Sequence, residues 1–167
     1  MQILRIIAAL LFLAASTPQA FGGETSDAFS SLRRLAGSWK IEHPKSAREK
    51  ELRILFQVIA ADSVVVETFV RNKSQPTQTM YHRDGSRLIA THYCAQGNQP
   101  RLQLSRQSTP QQLEFEYLDA TNLESNSQSH LIHLSFDLSD AQHVRREEVY
   151  SGDGQTDTTA YSLVRTK

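Results

Sequence analysis

The chain is 167 residues long and carries 18 basic and 18 acidic residues, so its formal net charge at pH 7 is zero. This length suits one domain behind a short leader, and the charge balance argues against a nucleic-acid partner and against electrostatic docking to a membrane. The single cysteine excludes an internal disulfide, so the core has to hold the fold without covalent cross-links.

Residues 1–22 are predicted to be a secretory signal peptide. Arg5 precedes an apolar run over 6–15, and a small, polar segment follows it up to Ala20. The apolar run is too short to cross a bilayer, which takes about 20 apolar residues, but it is typical of a cleaved leader. We therefore expect cleavage after Ala20 or Gly22, one mature domain over residues 23–167, a periplasmic or secreted location, and no stable membrane insertion of the mature chain.

Residues 27–36 are predicted to form a short amphipathic helix that is capped by Thr25 or Ser26 and ended by Gly37. The remaining chain predicts short strands between turn residues, over 38–42, 49–59, 64–71, 77–83, 87–94, 100–106, 112–117, 130–137, 143–150 and 157–165. Short, regular spacing without intervening helices favours an antiparallel meander, and closure removes its two exposed edges. We therefore expect an all-β barrel of about 8–10 strands with a short N-terminal helix.

The Gly37-Ser-Trp39 motif after the predicted helix resembles the lipocalins and the wider calycin group of small β-barrels. The resemblance implies that Trp39 plugs the closed end of the barrel and that Arg165, near the end of the last strand, lies against its ring. A guanidinium over an indole ring contributes about 0.5–2 kcal/mol, depending on how far the pair is removed from water.

A longer resemblance covers the middle of the chain. The segments 80–88 (MYHRDGSRL), 91–94 (THYC) and 97–101 (GNQPR) resemble a bacterial family of exported, lipocalin-like proteins, and 119–122 and 129–133 extend the likeness. The resemblance implies a lipocalin-like barrel and export, and it implies no reaction, ligand or cofactor.

The turn at Asp84-Gly85 determines which side chains of the flanking strands share a face. A two-residue loop pairs His82 with Arg87 and turns His82 away from His92. A three-residue loop with Gly85 in the left-handed conformation pairs His82 with Ser86. We favour the second register because it gathers these side chains on the face toward the barrel interior: His82, Leu88, Ala90, His92 and Cys94.

The favoured register predicts a pocket with a polar floor and a polar rim. The candidate ligand-binding residues are Glu67, His82, His92, Cys94, Asn98, Gln99 and Arg101. The two histidines and the cysteine form the floor, and Glu67 or His82 is the expected hydrogen-bond partner of an inward His92. The last three residues form the rim, where they can receive a carboxylate or another polar head group. The alternative for 97–101 is a plain tight turn.

Three functions remain compatible with this pattern. The first is binding of a small apolar or lipid-like molecule inside the barrel. The second is a metal, haem or redox site on His82, His92 and Cys94, although no usual metal-ligand spacing supports it. The third is binding of an envelope partner through the rim. The sequence contains neither a nucleophile elbow nor a phosphate loop, so it identifies no catalytic residue. It also specifies no cofactor and no oligomeric state. Residues 145–148 (RREE) predict a solvated strand with cross-strand ion pairs.

The leader gives the first testable prediction. Small residues at Ala20 and Gly22 suit a signal peptidase, so N-terminal sequencing of the protein purified from its own host should find Phe21 or Gly23 first. A mature protein that retains residues 1–20 would contradict this prediction.

Overall fold

The computed structural model describes residues 22–71 and 76–166, with side chains from residue 25 onward. The predicted leader therefore lies outside the described residues, apart from its last position. Neither of the two helices in the described part of the chain has the length and apolar content needed to span a membrane.

Ten antiparallel strands close into one barrel, in which each strand pairs with its neighbours in sequence and the first strand pairs with the last. The strands are β1 (Gly37–Ile41), β2 (Arg53–Ile59), β3 (Val64–Val70), β4 (Thr77–Asp84), β5 (Arg87–Tyr93), β6 (Gln99–Leu104), β7 (Gln112–Thr121), β8 (His130–Asp137), β9 (His143–Gly152) and β10 (Gln155–Arg165). This architecture confirms the predicted fold class, a closed all-β meander behind a short N-terminal helix.

The N-terminal helix α1 (Gly22–Arg34) begins and ends earlier than the sequence predicts. Thr25 and Ser26 lie within the helix, so their prediction as caps was wrong. The Ser26 carbonyl instead accepts a hydrogen bond from Ser30 Oγ at 2.8 Å, which satisfies it inside the helix. The apolar side of α1, including Phe29, packs against one end of the barrel.

A second helix, α2 (Ala47–Glu51), occupies part of a segment that the sequence predicts as a strand. Ser46 Oγ accepts a hydrogen bond from the backbone N–H of Glu49, and the Glu49 carboxylate accepts one from the N–H of Lys45 at 2.6 Å. This reciprocal capping satisfies two N–H groups that a helix start leaves unpaired. The local cap therefore delays β2 until Arg53.

Apolar side chains fill the half of the interior next to α1, which we call the closed half. Its fully buried members include Trp39, Ile54, Tyr81, Leu88, Leu102, Leu113, Phe115, Leu134 and Phe136. The Tyr81 ring centroid lies 5.6 Å from that of Phe115 and 6.1 Å from that of Phe136. We call the other half of the interior, at the end of the barrel away from α1, the open half.

Trp39 and Arg165 meet where β1 pairs with β10 and join the closed end to α1. The Arg165 Cζ atom lies 4.4 Å from the Trp39 ring centroid, and Trp39 Nε1 donates to the Leu35 carbonyl at 2.8 Å. Arg165 also donates to the carbonyls of Ala36 at 2.7 Å and Arg34 at 2.8 Å. The Arg34 carbonyl belongs to the last turn of α1 and the Ala36 carbonyl follows it, so Arg165 supplies donors where the helix itself has none.

The backbone conformation favours glycine at the first position of the Gly-x-Trp motif. The φ of Gly37 is 131°, which other residues rarely adopt. A Cβ atom there would also lie 2.8 Å from Arg165 Nη1, so the guanidinium would have to move away from its place beside the helix.

The closure predicts a measurable loss of stability in an Arg165→Ala variant. The free energy of unfolding should fall by about 2 kcal/mol, because the ring contact is lost and two carbonyls lose their donor. Arg145→Ala is the matched control, since its side chain is 57% exposed and its ion pair with Glu147 lies on the surface. Urea unfolding followed by Trp39 fluorescence measures both variants, and equal values for the two would contradict the assigned role of Arg165.

Candidate functional site

Seven polar side chains turn into the barrel and form connected hydrogen bonds. This interior polar cluster consists of Glu67, Thr79, Tyr81, His92, Arg146, Glu148 and Tyr150. Strand alternation explains the direction in which they point, because paired residues on neighbouring strands share a face. Glu67 pairs with Thr79, and Thr79 pairs with His92 across β3, β4 and β5. The cluster therefore lies between the closed half and the open half.

Arg146 is the centre of this cluster. Its Nε donates to Glu67 Oε1 at 2.6 Å and its Nη1 donates to Glu148 Oε2 at 2.7 Å. The Arg146 and Glu67 side chains are fully buried, and that of Glu148 is 13% exposed. The Arg146 guanidinium also lies over the Phe69 ring, 4.5 Å from its centroid. The Nη2 atom of this buried group has no hydrogen-bond partner.

The hydrogen bonds fix the charges inside the barrel. Burial alone would lower the pKa of Arg146, but the carboxylates of Glu67 and Glu148 raise it, so the guanidinium stays charged. Burial, reinforced by the charge of Glu67, raises the pKa of Tyr81, whose hydroxyl donates to Glu67 Oε2 at 2.6 Å. The Glu67 carboxylate accepts hydrogen bonds from Tyr81 and Arg146, and the Glu148 carboxylate accepts one from Arg146. One positive and two negative charges thus lie together.

His92 forms the second part of the cluster and is electrically neutral. Its Nδ1 lies 2.9 Å from Thr79 Oγ1 and its Nε2 lies 3.1 Å from the Tyr150 hydroxyl. Burial, together with the positive charge of Arg146, lowers the pKa of His92 to about 4. A neutral imidazole has one N–H donor and one acceptor nitrogen, so one hydroxyl donates to the ring and the other accepts from it.

The predicted register of the turn between β4 and β5 was wrong. Asp84 pairs with Arg87, so only two residues form the loop, and His82 pairs with Ile89. Gly85 adopts the predicted positive φ, at 59°, but it stands at the first loop position. The side chains of Asp84 and Arg87 form an ion pair across the turn, which holds this tighter register.

The observed register separates the predicted floor residues. His82 lies on the outer face of β4, where its Nδ1 contacts the Arg83 carbonyl at 3.2 Å. His92 does face inward with Leu88, as predicted. The set of His82, His92 and Cys94 therefore does not converge on one point. Among the residues that the structure describes, no group of three or more His, Cys, Asp or Glu side chains is placed to hold a metal ion.

The predicted partners of His92 were also wrong. Glu67 bonds with Arg146 and Tyr81 instead, and His82 faces outward. The imidazole is satisfied by two hydroxyl groups, from Thr79 on β4 and from Tyr150 on β9.

Cys94 lies just beyond β5, at the edge of the open half. Its thiol is partly exposed, and its Sγ accepts from the N–H of Gln96 at 3.4 Å. Burial, the charge of Glu148 and the nearby Cys94 side chain together raise the pKa of Tyr150. Cys94 therefore lies next to the Tyr150 hydroxyl that contacts His92.

The predicted rim residues connect loops and strands of the barrel. Asn98 is fully buried and its Nδ2 donates to the Ser129 carbonyl at 2.9 Å. Gln99 donates to the Gly97 carbonyl at 2.8 Å. Arg101 lies on the outer face of β6, where its Nε donates to Asp119 Oδ1 at 2.6 Å, so its predicted place at the mouth was wrong.

Sequence reasoning missed the charged centre of the cluster. The segment 145–148 does not form a fully solvated strand, because Arg146 and Glu148 point inward while Arg145 and Glu147 pair on the surface at 2.7 Å. The signal that could have found them is the spacing along β9. Arg146 and Glu148 lie at every second position between buried Val144 and half-buried Tyr150, so all four side chains share the inner face.

Two surface cavities lie outside the barrel. One, of about 410 Å³, is lined by Ser30, Arg33, Arg34, Val58 and Asp62, and the other, of about 230 Å³, lies beside His143 and Glu42. Both are broad and open to solvent, and their charged groups already have partners, such as Arg33 with Asp62 at 3.0 Å. The interior polar cluster is chemically better suited to recognise a ligand because its central group is dry and incompletely paired.

Comparison with known proteins adds no relative, because no family model matches the chain and no curated protein matches its sequence. The likeness to exported lipocalin-like proteins thus stays a prediction, and functional inference rests on the geometry of the barrel.

The low pKa of His92 predicts a pH-dependent stability. The unfolded chain binds a proton near pH 6.5 and the folded chain only near pH 4, so the unfolded state holds more protons in that window. The contribution of His92 to the free energy of unfolding is complete above pH 6.5. It decreases by up to about 3 kcal/mol as the pH falls toward 4. Urea unfolding across this range measures the loss, and His92→Gln should reduce it. An equal pH dependence in both proteins would contradict the assignment.

Proposed function

We propose that this protein is an exported barrel that binds one small ligand in the open half of its interior, above the interior polar cluster. The observation that carries the proposal is the Nη2 atom of Arg146, which is fully buried and lacks a hydrogen-bond partner. An unpaired buried polar group costs about 1–3 kcal/mol, and more when it is charged. A ligand atom that accepts a hydrogen bond would remove this cost.

The surroundings of Arg146 support a ligand with an apolar part. Phe69, Tyr150 and Tyr161 are partly buried and pack on the hydrophobic core around the open half. The ring centroids of Phe69 and Tyr161 lie 5.9 Å apart in an edge-to-face arrangement. Aromatic walls with a few polar groups at the base are typical of small-molecule sites.

The ligand has to be small. Small barrels hold either packed side chains or one small ligand, and here the aromatic and aliphatic residues of the closed half already fill the space next to α1. A long lipid tail is therefore a poor fit, and a compact molecule that spans only the open half fits best. The predicted leader supports binding of such a molecule outside the cytoplasm.

The proposal can be tested with two substitutions at adjacent positions of β10. Thr159 pairs with Glu148 and faces the open half, whereas Thr158 is exposed on the outer face. Thr159→Phe should fill the open half and abolish binding, and Thr158→Phe should leave binding unchanged, because the two variants add the same ring on opposite faces.

Native mass spectrometry of the protein purified from its host measures bound ligand directly. We expect one small molecule on the wild type and on Thr158→Phe, and none on Thr159→Phe. Equal occupancy in the two variants, or no bound molecule on the wild type after incubation with host extract, would count against an interior site.

A further inference from the structure

We infer that the ligand is recognised through an uncharged hydrogen-bond acceptor, a carbonyl or hydroxyl oxygen, to which Arg146 Nη2 donates, and that the site disfavours carboxylates. This inference rests on the proposed function and specifies its ligand class. It differs from the usual expectation for a buried arginine, which is that it binds an anion.

The charge balance around Arg146 argues against an anionic ligand. The guanidinium already donates to Glu67 at 2.6 Å and to Glu148 at 2.7 Å, so two carboxylates already face one cation. His92 adds no charge because its pKa lies at about 4. A ligand carboxylate at Nη2 would be the third negative group beside a single positive one, in a place where water screens charge poorly.

The negative charge of Glu148 also acts on Tyr161, which lies in the open half. Burial and the charge of Glu148 raise the pKa of Tyr161 by more than Arg146, Arg71 and Arg48 lower it. Glu148 is also the cluster member with some solvent exposure, at 13%. A ligand that approaches Arg146 from the open half therefore meets a carboxylate on its way.

The hydrogen-bonding capacity of the cluster selects for an acceptor. Nη2 carries only N–H groups, so its missing partner must accept. Both ring nitrogens of His92 already have hydroxyl partners, and the Tyr81 hydroxyl already donates to Glu67. A cationic ligand offers donors, which pair with Glu148 but leave Nη2 unsatisfied and place a second positive charge beside Arg146. A neutral carbonyl or hydroxyl compound satisfies Nη2 without adding charge.

Three probes of nearly the same shape separate these possibilities. Benzamide is neutral and has a carbonyl acceptor, benzoate is an anion, and benzamidinium is a cation with donors only. Affinities for the purified protein come from NMR titrations that follow signals of Tyr161 and His92. We expect benzamide to bind tightest and benzoate to bind at least about tenfold more weakly, because charge repulsion in a poorly screened site is large.

Two glutamate variants on β9 then test the cause. Glu148→Gln removes one negative charge from the cluster, and Glu147→Gln removes the same charge from the outer face of the same strand. Benzoate should gain about tenfold in affinity in Glu148→Gln and change less than about twofold in Glu147→Gln, since solvent screens the exposed site. Benzamide should respond weakly to both variants.

The outcomes distinguish the inference from the proposed function. Tighter binding of benzoate or benzamidinium than of benzamide would overturn the inference and leave an interior site in place. Equal gains for benzoate in the two glutamate variants would also overturn it, because the effect would then be a general one of net charge. If none of the probes shifts the Tyr161 or His92 signals, and Thr159→Phe leaves ligand occupancy unchanged, the proposed function itself fails.

Discussion

The ion pair between Glu67 and Arg146 joins β3 to β9 across the barrel interior, and the other side chains of the interior polar cluster are arranged around it. Both side chains are fully buried and their nearest atoms lie 2.6 Å apart. Removing two ions from water costs several kcal/mol for each, so such a pair persists only where further hydrogen bonds support it. Tyr81 and Glu148 supply those bonds. These polar side chains therefore lie between the apolar closed half and the open half of the interior.

Two arginines that lie over aromatic rings perform different tasks in the two halves. Arg165 lies over Trp39 and donates to two carbonyls at the C-terminal end of α1, so its contacts close the barrel and hold the helix. Arg146 lies over Phe69 in a similar way, but its Nη2 atom remains unpaired. A structural role explains the first arrangement completely. The second leaves one donor unpaired, and this is the donor to which we propose that a ligand binds.

Local patterns in the sequence were sufficient to predict the barrel, while the polar cluster depends on contacts that only closure creates. Strand positions follow from alternating apolar residues and turn residues. Glu67 and Arg146, in contrast, are 79 residues apart and meet across the interior. The charged run at 145–148 resembles a surface strand, and the turn at Asp84 gives no local signal that separates registers one residue apart. His92 was placed correctly because its neighbours Leu88 and Ala90 set the phase of β5.

The segment 91–101 (THYCAQGNQPR) contains the turn between β5 and β6 and contacts the β7–β8 loop. Cys94 and Asn98 pair through their backbones to form a tight turn. Asn122 donates to the Gly97 carbonyl at 2.7 Å, and the amide of Asn98 binds the Ser129 carbonyl, so the β7–β8 loop is tied to this turn. Loops connected in this way lose little further freedom when a ligand binds, which favours affinity. In the proposed site, backbone contacts would fix the shape of the mouth, and the unpaired Nη2 atom of Arg146 would select among the small molecules that enter.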